Sequence, residues 1–347
     1  MSVSRTVRER IALARAKRLV ESGQVRKSID LLLRENRRHP SALLEETLVR
    51  VRHEGFFNQS FPAGLREWPP PFGQRFAGHD GIPEIDREMM SAEVVRDGVF
   101  NRGAIIVRGL LPENDVLNLR EGIEKAYQHH DLAMAGASSA ETSPWFVPFQ
   151  PTPRDADQEL NRSWYREGGA ELAADSPRGL FNLIDALERN SLVDLISEYL
   201  GERPGLSVRK TSLRRIPCDL NAEHGWHQDG AFLGRGIRTV NLWIALSDCG
   251  VDAPSMDMVP RRLDYIVPTG TEGAVFEWSV SSKEITAACA GGEPAHLQFK
   301  AGDAIFFDEM NLHRTSTLPG MTKPRYAIEA WFFAPSCYPL DQLPLLV

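Results

Sequence analysis

The apolar residues of this chain follow a helical period at its start, lose it through a proline-rich stretch, regain it twice and then alternate as in strands. Ile11, Ala14, Leu19 and Val20 share one helical stripe, Gly23 breaks it, Ile29, Leu32 and Leu33 form a second, and Pro40 ends that one. From Phe56 to Pro83 the prolines, as in Trp68-Pro-Pro-Pro-Phe-Gly, fix φ and withdraw donors, which predicts a linker or wrapping segment with its rings on the domain surface. A helix opens at Ser91, a strand covers Ala104 to Arg108, and Val116, Leu119, Ile123 and Ala126 mark a helix started by Pro112. A broad stripe from Leu180 through Leu183, Ile184, Leu187, Leu192, Leu195 and Ile196 predicts one helix over 180–200 that backs a sheet.

After Leu206 short apolar runs are punctuated by Gly, Pro and Asp. The pattern predicts a mainly β fold with flanking α-helices: antiparallel sheets curled into a double-stranded β-helix, a cupin-like jelly-roll barrel. Three regions are expected: an N-terminal helical hairpin over 1–55, a Pro/Gly-rich linker over 56–84, and the barrel domain over 85–347. The hairpin looks like a single tetratricopeptide-type unit, which cannot bury its face alone. It therefore packs on its own barrel, on a second copy in a homodimer, or on a protein partner; a plain helical extension is the other reading. Between His129 and Gly169, Trp145, Phe149, Trp164 and Tyr165 stand among polar residues and prolines, which suits either a lid over a pocket or a wrapping segment.

At 42% hydrophobic and 25% charged, the 347 residues have an ordinary soluble composition. No apolar run approaches the roughly 20 residues that span a bilayer, and Met1 to Thr6 open no signal segment, so a cytoplasmic protein without membrane attachment is expected. Cys218, Cys249, Cys289 and Cys337 lack C-x-x-C spacing and indicate neither a zinc knuckle nor a disulfide framework. Residues 1–40 hold 11 Lys and Arg against 4 Asp and Glu, so the rest of the chain, at −7 overall, carries −14. The basic residues of that arm are interleaved with apolar ones at helical spacing, which reads as a solvated helix face, with no nucleic-acid partner expected.

The chemistry concentrates at Gly225-Trp-His-Gln-Asp-Gly230 and Asp308-Glu-Met-Asn-Leu-His313. On an extended backbone His227 and Asp229 leave the same face and can share one metal ion. A second histidine from a distant strand completes a facial triad, a set that suits Fe(II) in oxygenases rather than structural zinc. His313, behind the turn and apolar strand Ala301 to Phe307, is placed to supply it; His224 and His296 are the competing histidines of a three-histidine cupin site. Arg325 opens the strand that returns after Pro319-Gly320, where a guanidinium can grip a carboxylate bidentately.

At these residues the chain resembles the phytanoyl-CoA dioxygenase-like branch of the Fe(II)/2-oxoglutarate-dependent oxygenases, whose motif is H-x-D, a distal histidine and an arginine some ten residues later. The match runs from about Ile82 to Pro335 and is strongest after Leu206. The resemblance implies that His227, Asp229 and His313 hold Fe(II), that Arg325 holds the far carboxylate of 2-oxoglutarate with Thr315 as a helping hydroxyl, and that Gln228 and Trp243 line the co-substrate pocket. The family's usual Asn-Gly-x-Leu and Pro-Gly-Ser-His wording is replaced here by Ala253-Pro-Ser-Met-Asp-Met-Val-Pro260-Arg-Arg-Leu, and the spacing from His313 to Arg325 is about one residue longer than usual. Asp229 is kept, which favours hydroxylation over halogenation.

The function expected is a dioxygenase that uses Fe(II), 2-oxoglutarate and O2 to hydroxylate an unactivated C–H of a small molecule, releasing succinate and CO2. Arg214, Arg215, Arg235, Arg238, Arg261 and Arg262 cluster in sequence around the expected mouth and point to an acidic substrate. The alternatives are a non-catalytic jelly-roll binding protein and a cupin-type metalloenzyme that does not use 2-oxoglutarate.

Overall fold

Residues 5–61, 67–152, 158–218, 225–234 and 236–347 are described by the structure, a computed structural model. The N-terminal stripes fold as α1 (Arg5–Glu21) and α2 (Val25–Arg38), and Ser41 caps a third helix, α3 (Ala42–Phe56), by accepting from the Leu44 N–H. This third helix fastens the hairpin to the rest of the chain. Its Leu44, Leu48 and Val51 pack with α2 residues Ile29 and Leu32, while buried Arg52 and His53 bond the carbonyls of Leu346 and Pro344 near the C-terminus. Glu45, also buried, pairs with Arg178 and accepts from Asn36.

Rings of the proline-rich stretch lie on the domain: Trp68 and Phe72 pack against Phe100. Next come β1 (Glu84–Asp86), α4 (Ala92–Arg102), β2 (Ala104–Arg108), α5 (Glu113–Met134), the short α6 (Ser139–Thr142) and α7 (Arg162–Glu167), and β3 (Ala170–Leu172). Between α6 and α7 the described residues wrap rather than cover: Phe146 and Phe149 are buried, and Asp175 ties the segment down through Phe149 N and Arg162. The single helix expected over 180–200 is two, α8 (Pro177–Arg189) and α9 (Leu192–Leu200). Ser191 adopts φ 58° between them, and Asn190 donates to Asp115 on α5, so the chain turns where the apolar stripe continues.

The barrel follows as β4 (Gly205–Ser207), β5 (Ser212–Ile216), α10 (Gly230–Leu233), β6 (Thr239–Ala245), β7 (Ser255–Met258), α11 (Ser282–Ala288), β8 (Ala295–His296), β9 (Ala304–Phe307), β10 (His313–Ser316), β11 (Arg325–Phe333) and β12 (Pro344–Leu346). The larger sheet runs β1-β2-β9-β6-β11-β4-β12, with β5 joining β11 to β3; the smaller runs β10-β7-β8. A bridge between His227 and His313 sets residue 227 beside the free edge of β10, and Trp226 bridges Val280. Two facing sheets, antiparallel except for the parallel pair β1–β2, with helices packed on the larger one, are the double-stranded β-helix expected from the sequence.

Strand alternation divides the larger sheet into two faces. Ile105, Val107, Leu242, Ile244, Phe306, Ile328 and Phe332 point outward and form one core with α4, α5, α8 and α9. Ile106, Ile305, Phe307, Trp243, Ala327, Trp331 and Phe333 point inward and meet Met256 and Met258 of the smaller sheet. Fully burying such a side chain stabilises by roughly 1.5–3 kcal/mol, so these two apolar faces fix the strand register that places His313 and Arg325.

Candidate active site

His227 and His313 sit directly opposite one another as a hydrogen-bonded pair, each N–H donating to the other's carbonyl at 3.0 Å. Side chains of such a pair leave the same face, and the two imidazole centroids are 4.5 Å apart. Each Nδ1 lies against a carbonyl, Gly225 O at 3.0 Å and Asn311 O at 3.2 Å. A carbonyl only accepts, so Nδ1 carries the proton and Nε2 is left with its lone pair directed into the barrel.

Asp229, 2% exposed, completes the group two residues on, at the start of α10. Its Oδ1 accepts from Lys210 Nζ at 2.6 Å, and its Oδ2 lies 3.8 Å from His313 Nε2 with no hydrogen-bond partner. One potential ligand atom from each of the three residues lies within 4.8 Å of the others. Among the described residues no other trio of His, Cys, Asp or Glu converges in this way. Two imidazole lone pairs and an unpartnered carboxylate oxygen facing one point are acceptors without a donor, an arrangement that costs free energy unless a cation satisfies it.

The protonation states agree with that fit. Burial, reinforced by the facing His313, pushes the His227 imidazole down to about 4, so it is neutral at pH 7. Burial alone would raise Asp229, but the Lys210 ammonium, foremost among its neighbours, outweighs it and holds the carboxyl well below the usual carboxylate range.

Arg325 opens β11 and shares its inward face with Ala327, Glu329 and Trp331. It is 1% exposed, donates from Nη1 to Ser255 O at 2.7 Å, and has no partner at Nε and no carboxylate partner among the described residues. Burial, with Arg214 nearby, lowers its guanidinium to about 9. A buried cation left this way is prepared for an anion. Trp243, also buried on the inward face, holds its ring 5.5 Å from the Arg325 guanidinium. Thr315, two residues after His313 on β10, shares its face and pairs with Met256, beside the Ser255 carbonyl that Arg325 bonds. Gln228 is engaged otherwise: its amide donates to the carbonyls of Tyr265 and Met310, and its oxygen accepts from Val267 N. Both amide protons are thus taken by backbone, and the side chain is a strut between two loops.

The competing histidines separate. Both ring nitrogens of His296 are bonded, to Asp257 and to Gly250 O, on the far side of the smaller sheet from His313; His224 lies outside the described residues. Among the described residues, no cluster of free arginines forms at the expected mouth. Arg214 pairs with Glu329, Arg215 with Glu124, Arg238 with Glu202 and Arg262 with Asp308, while Arg261 bonds Ala288 O and Arg235 lies outside the described residues. Lys210, Glu329 and Asn241 were not singled out from the sequence. Asn241 and Glu329 do carry a signal, as polar residues at inward positions among apolar neighbours; Lys210 stands in a turn before β5 and carries none.

A sequence model of the phytanoyl-CoA dioxygenase (PhyH) family matches residues 100–318, and the chain belongs to that family. No curated relative matches the chain. Similar solved structures include EctD from S. alaskensis with 2-oxoglutarate and 5-hydroxyectoine, at 17% identity and TM-score 0.46, covering 80% of this chain and 83% of that one. Another is AviO1 from Streptomyces viridochromogenes Tue57, at 17% identity and TM-score 0.44, covering 72% and 97%. A third is the non-heme alpha ketoglutarate dependent carbocyclase SnoK from nogalamycin biosynthesis, at 15% identity and TM-score 0.44, covering 72% and 86%. Among the described residues no helix is long and apolar enough to cross a membrane.

Proposed function

We propose that this chain is an Fe(II)/2-oxoglutarate-dependent dioxygenase that hydroxylates a C–H bond of a small molecule. The observation that carries the reading is the convergence of His227, Asp229 and His313 on one point that holds acceptors only. His227 and His313 would bind the iron through Nε2 and Asp229 through Oδ2, the donor set that suits Fe(II) with positions left open. With 2-oxoglutarate and O2, bound iron supplies the oxidation, in which the keto acid leaves as succinate and CO2 and the substrate C–H becomes C–OH.

The chain's own residues orient and enclose. Arg325 receives the far carboxylate of 2-oxoglutarate, Thr315 adds a hydroxyl beside it, and Trp243 walls the same end; this agrees with the unpaired state of the guanidinium. Lys210 neutralises Asp229 Oδ1 and turns Oδ2 toward the histidines. Gln228 holds the loops at 265–267 and 310 against the H-x-D segment. The inward faces of Phe307, Trp331 and Trp243 keep water from the base of the pocket.

Succinate release tests the proposal. The Fe(II)-loaded protein is expected to form succinate from 2-oxoglutarate aerobically, faster with a competent member of a panel of small acids, amino acids and ring compounds, and Asp229→Ala is expected to abolish it. Activity that persists without 2-oxoglutarate, or succinate formation that survives Asp229→Ala, overturns it.

A further inference from the structure

Glycines bracket the H-x-D segment, and each makes room for a large apolar side chain from the 265–281 stretch. A Cβ on Gly225 would stand 3.0 Å from the Trp278 indole, and one on Gly230 would stand 2.9 Å from Ile266 Cδ1. These close approaches set a rim around the histidine pair. Trp278 meets His227 edge to face at 5.8 Å and stacks with Phe276 at 5.0 Å and 4°, while Phe232 lies 6.2 Å from the same imidazole on the α10 side.

These side chains remain accessible where a folded chain normally hides them: Phe276 and Trp278 are each 41% exposed, Phe232 43% and Tyr265 52%. Their placement is built rather than loose. The Ser279 hydroxyl accepts from Phe276 N and donates to Phe276 O, Val280 N donates to Trp226 O at 2.8 Å, and Tyr265 O accepts from Gln228. Exposed aromatic rings on two sides of an imidazole, with a few fixed polar groups at their base, have the usual form of a small-molecule site. Among the described residues, Arg214, Arg215 and Arg262 are paired with carboxylates and Lys210 with Asp229, while Arg261 bonds only the Ala288 carbonyl. A polyphosphate carrier such as coenzyme A would find few free partners among them, whereas stacked aromatic rings offer flat faces to other rings.

We infer that the substrate is a small molecule with a flat, uncharged aromatic or polycyclic body, seated against Trp278, Phe276 and Phe232, and not an acyl chain on a polyanionic carrier. The inference deepens the oxygenase reading by naming what that site oxidises, and it rests on that reading for the chemistry but not for the binding.

Equilibrium dialysis of the full chain, without metal, tests it with three probes: 2-naphthol as the flat ring compound, 1-octanol as a linear one, and coenzyme A as the polyanion. 2-Naphthol is expected to bind saturably and at least about 10-fold more tightly than either of the others. Trp278→Leu, which keeps apolar bulk but removes the extended ring, is expected to erase most of that preference while leaving 1-octanol binding within about 2-fold; Phe276→Leu should do the same if Trp278→Leu fails to fold. Equal or tighter binding of 1-octanol or coenzyme A, or a ring preference that survives both substitutions, overturns the inference. A retained ring preference in a protein that binds no iron would fault the oxygenase reading alone, and iron and 2-oxoglutarate binding without any ring preference would fault this inference alone.

Discussion

Lys210 Nζ lies 2.6 Å from Asp229 Oδ1, so a buried carboxylate at the centre of the site holds one cation on one oxygen and presents the other, unpartnered, to two imidazoles. Two effects of that lysine oppose each other. By orienting the carboxylate it would strengthen metal binding by about 10–100-fold, or roughly 1.4–2.8 kcal/mol. By repelling a divalent ion across one carboxylate, roughly 5 Å at an effective dielectric of about 20, it would weaken binding by about 7 kcal/mol. Repulsion outweighs orientation. Lys210→Met is therefore expected to lower the metal-free Tm, since an unpaired buried carboxylate is costly, and to show a larger Tm gain on Co(II) addition than the unsubstituted chain. A smaller gain, followed by differential scanning calorimetry, would mean that orientation dominates.

Arg325 stands in the opposite condition, a buried cation without an anion. Arg325→Met is expected to leave the metal-free protein as stable or slightly more so, because replacing an unpaired buried charge removes a desolvation cost. The same substitution is expected to raise the KM for 2-oxoglutarate by about 100-fold, the loss of charge-assisted hydrogen bonds worth roughly 1.5–3 kcal/mol each. A fall in Tm of several degrees with unchanged KM would make Arg325 a structural residue.

Gln228 makes three hydrogen bonds to the backbone of two loops. Gln228→Leu leaves those buried groups unmatched and is expected to cost about 2–4 kcal/mol of stability, measured by urea denaturation. A loss below about 1 kcal/mol would return the side chain to the pocket-lining role that its place in the motif implies.

His227 sets a pH dependence of definite sign. Burial and the facing His313 push it from 6.5 to about 4, so between those values the unfolded chain takes up a proton that the native site refuses. Stability of the metal-free protein therefore falls as pH drops from 6.5 toward 4. Asp229, held below the usual range, contributes stability present above about pH 4 and lost as pH falls further. The Tm should decline through this window, and His227→Asn should flatten the upper part of the decline; equal slopes in the two proteins would contradict the assignment.

What the sequence revealed and what it hid follow from the range of the interactions. His227 and Asp229 are two residues apart and His313 follows the apolar strand β9, so local pattern singled out the three residues that the fold brings together. The β-helix followed from strand alternation, which packing then enforced. Helices α8 and α9 read as one because the apolar stripe continues through Asn190 and Ser191, and only the contact of Asn190 with Asp115 on α5 explains the turn. The arginines near the mouth misled for a similar reason. Their carboxylates lie 36, 46, 91 and 115 residues away in sequence, at Glu202, Asp308, Glu124 and Glu329, and pairing at that distance leaves no local trace. Lys210 was hidden likewise, since nothing in a turn before β5 announces contact with Asp229.

The central claim is that His227, Asp229 and His313 bind one iron and Arg325 the acid that joins it. Anaerobic titration of the metal-free protein with Fe(II) in the presence of 2-oxoglutarate measures both at once. The expected result is the weak visible charge-transfer band of the chelate, saturating at one iron per chain, absent in His313→Ala and shifted to higher 2-oxoglutarate concentration in Arg325→Met. No band and no retained iron in the folded protein, or a band unchanged in His313→Ala, would contradict it.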